Sequence, residues 1–182
     1  MRKLKLAMYV SLDGVVENPA WTAPFWNDEL SDLQAEYLYA SDALLLGRVT
    51  YQGFAASWPA MEESTGEFGK KMNSMPKFVA SRTLEQAEWN ASIIKGDVAT
   101  EVTKLKEQPG GDLLIYGSGD LVDELTRHGL IDEYRLMVHP VIVGSGKRLF
   151  SESTETTLRL TDTTSTGTGV VVLTYAKSSD AA

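Results

Sequence analysis

Two stretches of this 182-residue chain share one design. "DALLLGRVTYQGF" (42–54) and "DLLIYGSGDLVDEL" (112–125) each carry a short, continuously apolar run into glycine and then into a helical pattern. An apolar run without alternation, bounded by turn residues, reads as a strand buried on both faces. Such strands belong to parallel sheets covered by helices. The glycines mark the passage from strand to helix, where ligands bind in open α/β sheets.

The rest of the chain fits that frame. "KLKLAMYVSLDG" reads as a first strand ending at the Asp13–Gly14 turn, and "VVENPAWTAPFW" as a loop with exposed aromatics. A helix is predicted from Asp28 to Tyr39, with Leu30, Leu33, Tyr37 and Leu38 at helical spacing. "RVTYQGFAASW" starts a second helix, and "MEESTGEFGKKMNSM" reads as a polar loop with a short helix. "PKFVASRT" and "WNASIIKG" are strand-like, and "DVATEVTKLKEQ" and "DLVDELTRHG" are helices. "IDEYRLMVHPVIVG", "TTLRLTDTTST" and "GVVVLTYAKS" read as three strands of an antiparallel meander. The expected whole is one α/β domain over 1–177 with a frayed tail at 178–182. Its sheet is mixed and mostly parallel, with antiparallel C-terminal strands and helices on both faces.

Composition removes several chemistries. The chain has no cysteine, which excludes disulfides, thiol nucleophiles and thiolate metal sites. His128 and His139 are too isolated for a zinc site, so no metal is expected; His128 reads as a helix cap and His139 as packing in a strand. A formal charge of −8 argues against nucleic-acid binding. No basic leader and no membrane-length apolar run stands out, so the expectation is a soluble cytoplasmic protein without a membrane partner. Difficult chemistry would then fall to a bound cofactor.

Three segments fall at one edge of the inferred sheet. In "YGSGDLV", Gly117 and Gly119 permit close approach to a helix N-terminus that suits a pyrophosphate. Val122 replaces the third glycine of a dinucleotide fingerprint, and Asp120 either caps the helix or opposes a phosphate. Cradle and plain connector are both open on these residues alone. In "LLLGRVTY", Arg48 and Thr50 offer a guanidinium and a hydroxyl; an exposed arginine at an ordinary helix start is the alternative. In "FVASRT", Ser81, Arg82 and Thr83 suit a phosphate monoester such as the one that distinguishes NADPH from NADH. Asp13 reads as a polar anchor or a turn residue, Val15 and Val16 as apolar contacts to a flat ring. Trp21 and Trp26 line a pocket for a planar heterocycle or complete a core edge. Asp28, Asp32 and Glu36 form a solvated helical stripe, and "GSGKRLF" (144–150) a turn bearing Lys147 and Arg148.

In this order, "SLDG", "LLLGRVTY", "SRT", "IYGSGDLVDELTRHGLIDEYRL" and "HPVIVGSGKRLF" resemble the reductase domain of the bacterial bifunctional riboflavin-biosynthesis deaminase-reductase. The resemblance spans Lys3 to Tyr175 and is most specific from Tyr116 to Phe150. It implies a dihydrofolate-reductase-like fold, NADPH as cofactor, a small heterocyclic substrate and a homodimer. The late strands, with an exposed edge, are the expected dimer surface. By position, Gly47, Arg48, Thr50, Gly117, Ser118, Gly119, Asp120 and Leu121 would hold the cofactor phosphates, the last five through the turn backbone. Ser81 and Arg82 would face the adenosine 2′-phosphate. Asp13, Gly14, Val15 and Val16 would lie near nicotinamide and substrate, with Trp26 against the substrate. Asp13 and Asp32 are the candidate acids. The deaminase half is absent from the sequence. The implied reaction passes hydride to the ribosyl carbon of 5-amino-6-(5-phosphoribosylamino)uracil. Two alternatives stand beside it: a dihydrofolate or broad-specificity NADPH reductase, favoured if Asp32 is buried, and a non-catalytic nucleotide-binding module.

Overall fold

The central strand explains the layering. In a strand β1 over Leu4–Ser11, alternate side chains point to opposite faces. Leu4, Leu6, Met8 and Val10 join one buried cluster, and Ala7 joins another on the opposite face. Both faces are therefore covered, as the unbroken apolar run requires. The computed structural model of the protein describes residues 1–178. The expected tail lies outside the described residues from 179 onward.

Eight strands form one sheet. After β1 come β2 (Ser41–Gly47), β3 (Lys77–Ala80), β4 (Ala91–Ile94), β5 (Asp112–Ile115), β6 (Glu133–His139), β7 (Leu158–Ser165) and β8 (Val171–Lys177). Their order is β4-β3-β2-β5-β1-β6-β8-β7. The first six in that order are parallel, while β8 is antiparallel to β6 and β7 to β8. The mixed sheet agrees with expectation; the meander does not. β8 lies between β6 and β7, because its alternating Val172 and Thr174 are buried while β7 is exposed almost throughout. The more apolar strand takes the inner place.

Helices α4 (Val98–Glu107) and α5 (Gly119–Arg127) pack on one face through Val102, Leu105, Leu121, Val122 and Leu125. On the other face lie α1 (Asp28–Tyr39), α2 (Arg48–Thr65) and α3 (Glu67–Ser74), anchored by Leu30, Tyr37, Leu38, Tyr51 and Met72. The stretch 61–75, expected as a polar loop with a short helix, is mostly helix. α2 runs on through Pro59, breaks at Gly66 (φ +60°) and restarts as α3. The aromatic loop contains a 3₁₀ turn, Pro19–Phe25, whose Trp21 and Phe25 are half-buried.

Candidate active site at the carboxyl edge of the sheet

Parallel strands deliver their C-terminal ends to one edge, so the segments after β1, β2, β3, β5 and β6 meet there. Two helices start at this edge side by side. The amide of Gly47 donates to the carbonyl of Gly117 at 3.1 Å, joining the N-termini of α2 and α5. A Cβ on Gly47 would overlap the Ser118 side chain, and one on Gly117 would come within 2.8 Å of Thr50 Oγ1. Glycine here is a requirement of close approach. The Gly117–Ser118 peptide is cis.

The helix caps differ. Asn27 and Asp97 cap α1 and α4 with side-chain oxygens that accept amide bonds at 3.0 and 2.8 Å. Neither Gly47 nor Ser118 gives α2 or α5 a side-chain cap. Asp120 does not cap its helix; its carboxylate pairs with Lys147 Nζ at 2.8 Å. Beside this pair an open cleft of about 330 Å³ is lined by Gly119, Asp120, Lys147 and Arg148, among others. Arg48 is exposed and donates to Gln52 at 3.0 Å. Ser81 Oγ accepts from the amides of Thr83 and Leu84, which shapes the turn after β3. Arg82 projects into solvent from that turn, and among the described residues its guanidinium has no partner.

The loop after β1 is stitched to the segment after β6. Asp13 accepts from Ser11 Oγ at 2.6 Å and from the amides of Val143 and Gly144 at 3.1 and 2.8 Å. These bonds, the Ser11 hydroxyl foremost, lower its pKa to about 2. Asp13 is thus a permanent anion that fastens a loop, and a proton donor at neutral pH it is not. Val15 and Val16 are both buried. Val15 bridges to Arg148 and is fully buried, while Val16 packs within the α4–α5 core. Gly14 takes φ +86° at the turn, and Leu149 donates to its carbonyl. Leu121 is likewise buried.

Asp32 is exposed on α1. A carboxylate in bulk water cannot serve a ring held in a pocket, so the feature that would favour a dihydrofolate reductase is missing. The inward position two residues on belongs to Gln34, only 5% exposed, whose Nε2 donates to Tyr9 OH at 2.6 Å. Around Tyr9 the structure also gathers Tyr116, Arg135 and His139. His139 is fully buried, and its Nδ1 donates to Met137 O at 2.8 Å. Burial holds its pKa below the usual histidine range, against the Met137 and Val10 carbonyls. Burial also pushes the Tyr116 hydroxyl far above the ordinary tyrosine range and Tyr9 to about 12. Trp26, nearly half exposed, stands edge-on to Tyr9 with ring centroids 6.3 Å apart.

Sequence reasoning missed this cluster. One signal pointed to it: Gln34 interrupts the buried stripe Leu30, Tyr37, Leu38 with a polar side chain.

Among the described residues there is no group of acidic or histidine side chains that could hold a metal, and no helix long and apolar enough to cross a membrane. Residues 2–172 match the family described as the RibD C-terminal domain. The YyaP protein of Bacillus subtilis (strain 168) is 31% identical over 96% of this chain and 94% of its own. A solved structure from Shewanella sp. PV-4 superposes with a TM-score of 0.78 at 21% identity, covering 98% of this chain and 99% of that one. The diaminohydroxyphosphoribosylaminopyrimidine deaminase/5-amino-6-(5-phosphoribosylamino)uracil reductase of Thermotoga maritima gives a TM-score of 0.70 at 15% identity. There the match covers 97% of this chain but only 57% of the bifunctional protein. The mixed sheet with helices on both faces is the dihydrofolate-reductase-like fold of these neighbours. With a family match along nearly its whole length and a relative above 30% identity, the chain belongs to the RibD C-terminal domain family.

Proposed function

We propose that the protein is an NADPH-dependent reductase of the riboflavin-biosynthesis type, acting in the cytoplasm as a homodimer. Its reference reaction converts the ribosyl group of 5-amino-6-(5-phosphoribosylamino)uracil to a ribityl chain. The observation that carries this reading is the junction of α2 and α5, where two helix N-termini without side-chain caps abut through Gly47 and Gly117. Two helix N-termini without side-chain caps, each the positive end of a helix dipole, fit a pyrophosphate.

In this reading Gly47, Arg48 and Thr50 hold the pyrophosphate from one side, and the backbone from Gly117 to Leu121 from the other. Lys147 neutralises Asp120, so the one carboxylate on that turn does not repel the ligand. Arg82, without a partner among the described residues and with Ser81 shaping its turn, recognises the 2′-phosphate. When bound, NADPH supplies a hydride. The chain orients the reactants and excludes water, through Gly14 and the loop that Asp13 fastens and through the aromatic cover of Trp21 and Trp26. Asp13 is committed to fastening its loop and Asp32 faces bulk solvent, so water is the proton source. The exposed edge strand β7 is the surface for the second copy.

Titration with NADPH and NADH, followed by quenching of tryptophan fluorescence, tests the cofactor. The expected result is tighter binding of NADPH, with the preference falling by about tenfold or more in Arg82→Ala, the value of a lost charge-assisted contact. Absence of binding by either nucleotide overturns the reading. Consumption of NADPH with the aminouracil substrate tests the reaction.

A further inference from the structure

Among the side chains gathered around Tyr9, only histidine changes charge between pH 5 and 8. His139 ends β6, fully buried, with Nδ1 donating to the Met137 carbonyl at 2.8 Å. Nδ1 therefore carries the proton of the neutral ring. Nε2 keeps a lone pair and has no hydrogen-bond partner among the described residues. A second proton must settle on that atom, and the imidazolium it makes is costly to bury without a counterion.

The surroundings supply none. Tyr9 on β1 and Tyr116 after β5 stay neutral, since burial pushes both hydroxyls up. Gln34 reaches Tyr9 from α1, and β8 sets Val171 beside Val138. Arg135, four residues earlier on β6, is itself a cation. The carboxylates of neighbouring elements are engaged elsewhere. Asp13 holds the Val143 and Gly144 amides, Glu17 that of Lys147, Glu29 that of Gly167, and Glu36 the Arg135 guanidinium. Among the described residues no carboxylate acts on His139; burial and two backbone carbonyls do.

What seals the imidazole from water is slight. Trp21 and Phe25 stand at steep angles to its ring, with centroids 5.5 and 5.8 Å away, and both belong to the 3₁₀ turn Pro19–Phe25. None of that turn's seven residues is fully buried. Thr168 Oγ1, from the turn before β8, donates to the Phe25 carbonyl at 2.7 Å and ties the cover down. The bonds of Trp21 and Thr22 run only to Glu17 and Pro19, beside or within the turn itself. Few buried contacts make a segment easy to displace.

We propose that the 3₁₀ turn is a cover operated by acid: a proton taken up at His139 Nε2 displaces Trp21 and Phe25 and admits the water that the imidazolium needs, and its loss lets them close. The direction follows from linkage. With the cover shut, burial outweighs the Met137 and Val10 carbonyls and holds the His139 pKa below its ordinary 6.5. With the cover displaced the ring is hydrated and the ordinary value returns. The open form then binds the proton more tightly, and a proton shifts the balance only by that difference. Between the two pKa values the ratio of open to closed rises by up to about tenfold for each unit that pH falls. The opening belongs to the fold alone; its effect on turnover rests on the reductase reading, in which the same turn excludes water.

Brief chymotrypsin digestion between about pH 5.5 and 8 tests the cover, because cleavage after Trp21, Phe25 or Trp26 tracks the population of the open form. Each rate is divided by that of a free peptide of residues 15–30 at the same pH, which removes the protease's own pH dependence. The wild-type ratio should be level above about pH 7.5 and climb by up to about tenfold per unit in acid. His139→Gln, with no proton to take up, should stay level throughout, while His128→Gln follows the wild type. Thr168→Val should raise cleavage at every pH. A level wild-type profile, or an acid rise that survives in His139→Gln, overturns the proposal. Should His139→Gln fail to fold, proton magnetic resonance of the two histidines in Trp21→Ala decides. There the midpoint of His139 moves up toward about 6.5, and an unmoved midpoint overturns the proposal as well. NADPH titration of the same samples is scored separately: a protein that opens in acid and ignores NADPH overturns the reductase reading and leaves the cover standing.

Discussion

At single positions, space and charge set the constraints. Gly47 has an ordinary φ of −74°, so its side-chain restriction is steric and comes from Ser118. Gly47→Ala is expected to destabilise by about 1–3 kcal/mol, the usual range for overpacking. Ser118→Gly in the same chain should restore most of the loss, a coupling that denaturant titration of the four forms measures. Asp13 obeys a different rule. Its pKa in the folded protein, about 2, lies below the ordinary carboxylate value of 3.8, so its contribution is complete above that value and disappears as pH falls through about 2. The stability gap between wild type and Asp13→Ala should therefore be constant above pH ~5 and close in acid. Amide exchange at Val143 and Gly144 should quicken in the variant at neutral pH. Asp120→Asn leaves Lys147 to face the cofactor and is expected to tighten NADPH severalfold at low salt, an effect that fades as salt is raised.

At the scale of elements, buried apolar periodicity was readable and surface helices were not. The limits of α1 follow from Asn27 at its N-cap and from the stripe Leu30, Tyr37 and Leu38. The stretch 61–75 reads as a polar loop with only a short helix because polar residues dominate there, and the continuation of α2 to Thr65 is not legible; only Tyr51 of α2 is buried. α3 ends on a device that no pattern announces. Lys77, 1% exposed, donates from β3 to the carbonyls of Asn73 and Met75 at 3.0 and 2.8 Å, under the ring of Trp89. Burial lowers its pKa from 10.5 to about 8. Between those values the unfolded chain binds the extra proton, so this group makes stability rise with pH. The difference in unfolding free energy between wild type and Lys77→Met should grow across that interval, and a flat difference would remove Lys77 from the account.

For the whole molecule, local signals place each strand end but not its neighbours. The sequence shows that 47–50, 81–83 and 117–121 follow strands. That Gly47 touches Gly117 depends on β2 and β5 being adjacent, a pairing between residues far apart in the chain. The ring of groups around Tyr9 is less legible still, since α1, β1, β5 and β6 each supply a part. The same limit hid the place of β8. Leu160, half-exposed on β7, tests the outer edge: Leu160→Lys should shift the sedimentation equilibrium toward monomer if that strand joins two copies. The order of those last strands also has a meaning in time. β7 is made before β8, yet among the described residues β8 is its only hydrogen-bonded neighbour in the sheet. During synthesis β7 must wait, with every backbone group turned to solvent, until the following strand has left the ribosome and docked on β6. Its threonine-rich, almost wholly exposed sequence suits a segment that spends that interval in water without finding the wrong partner.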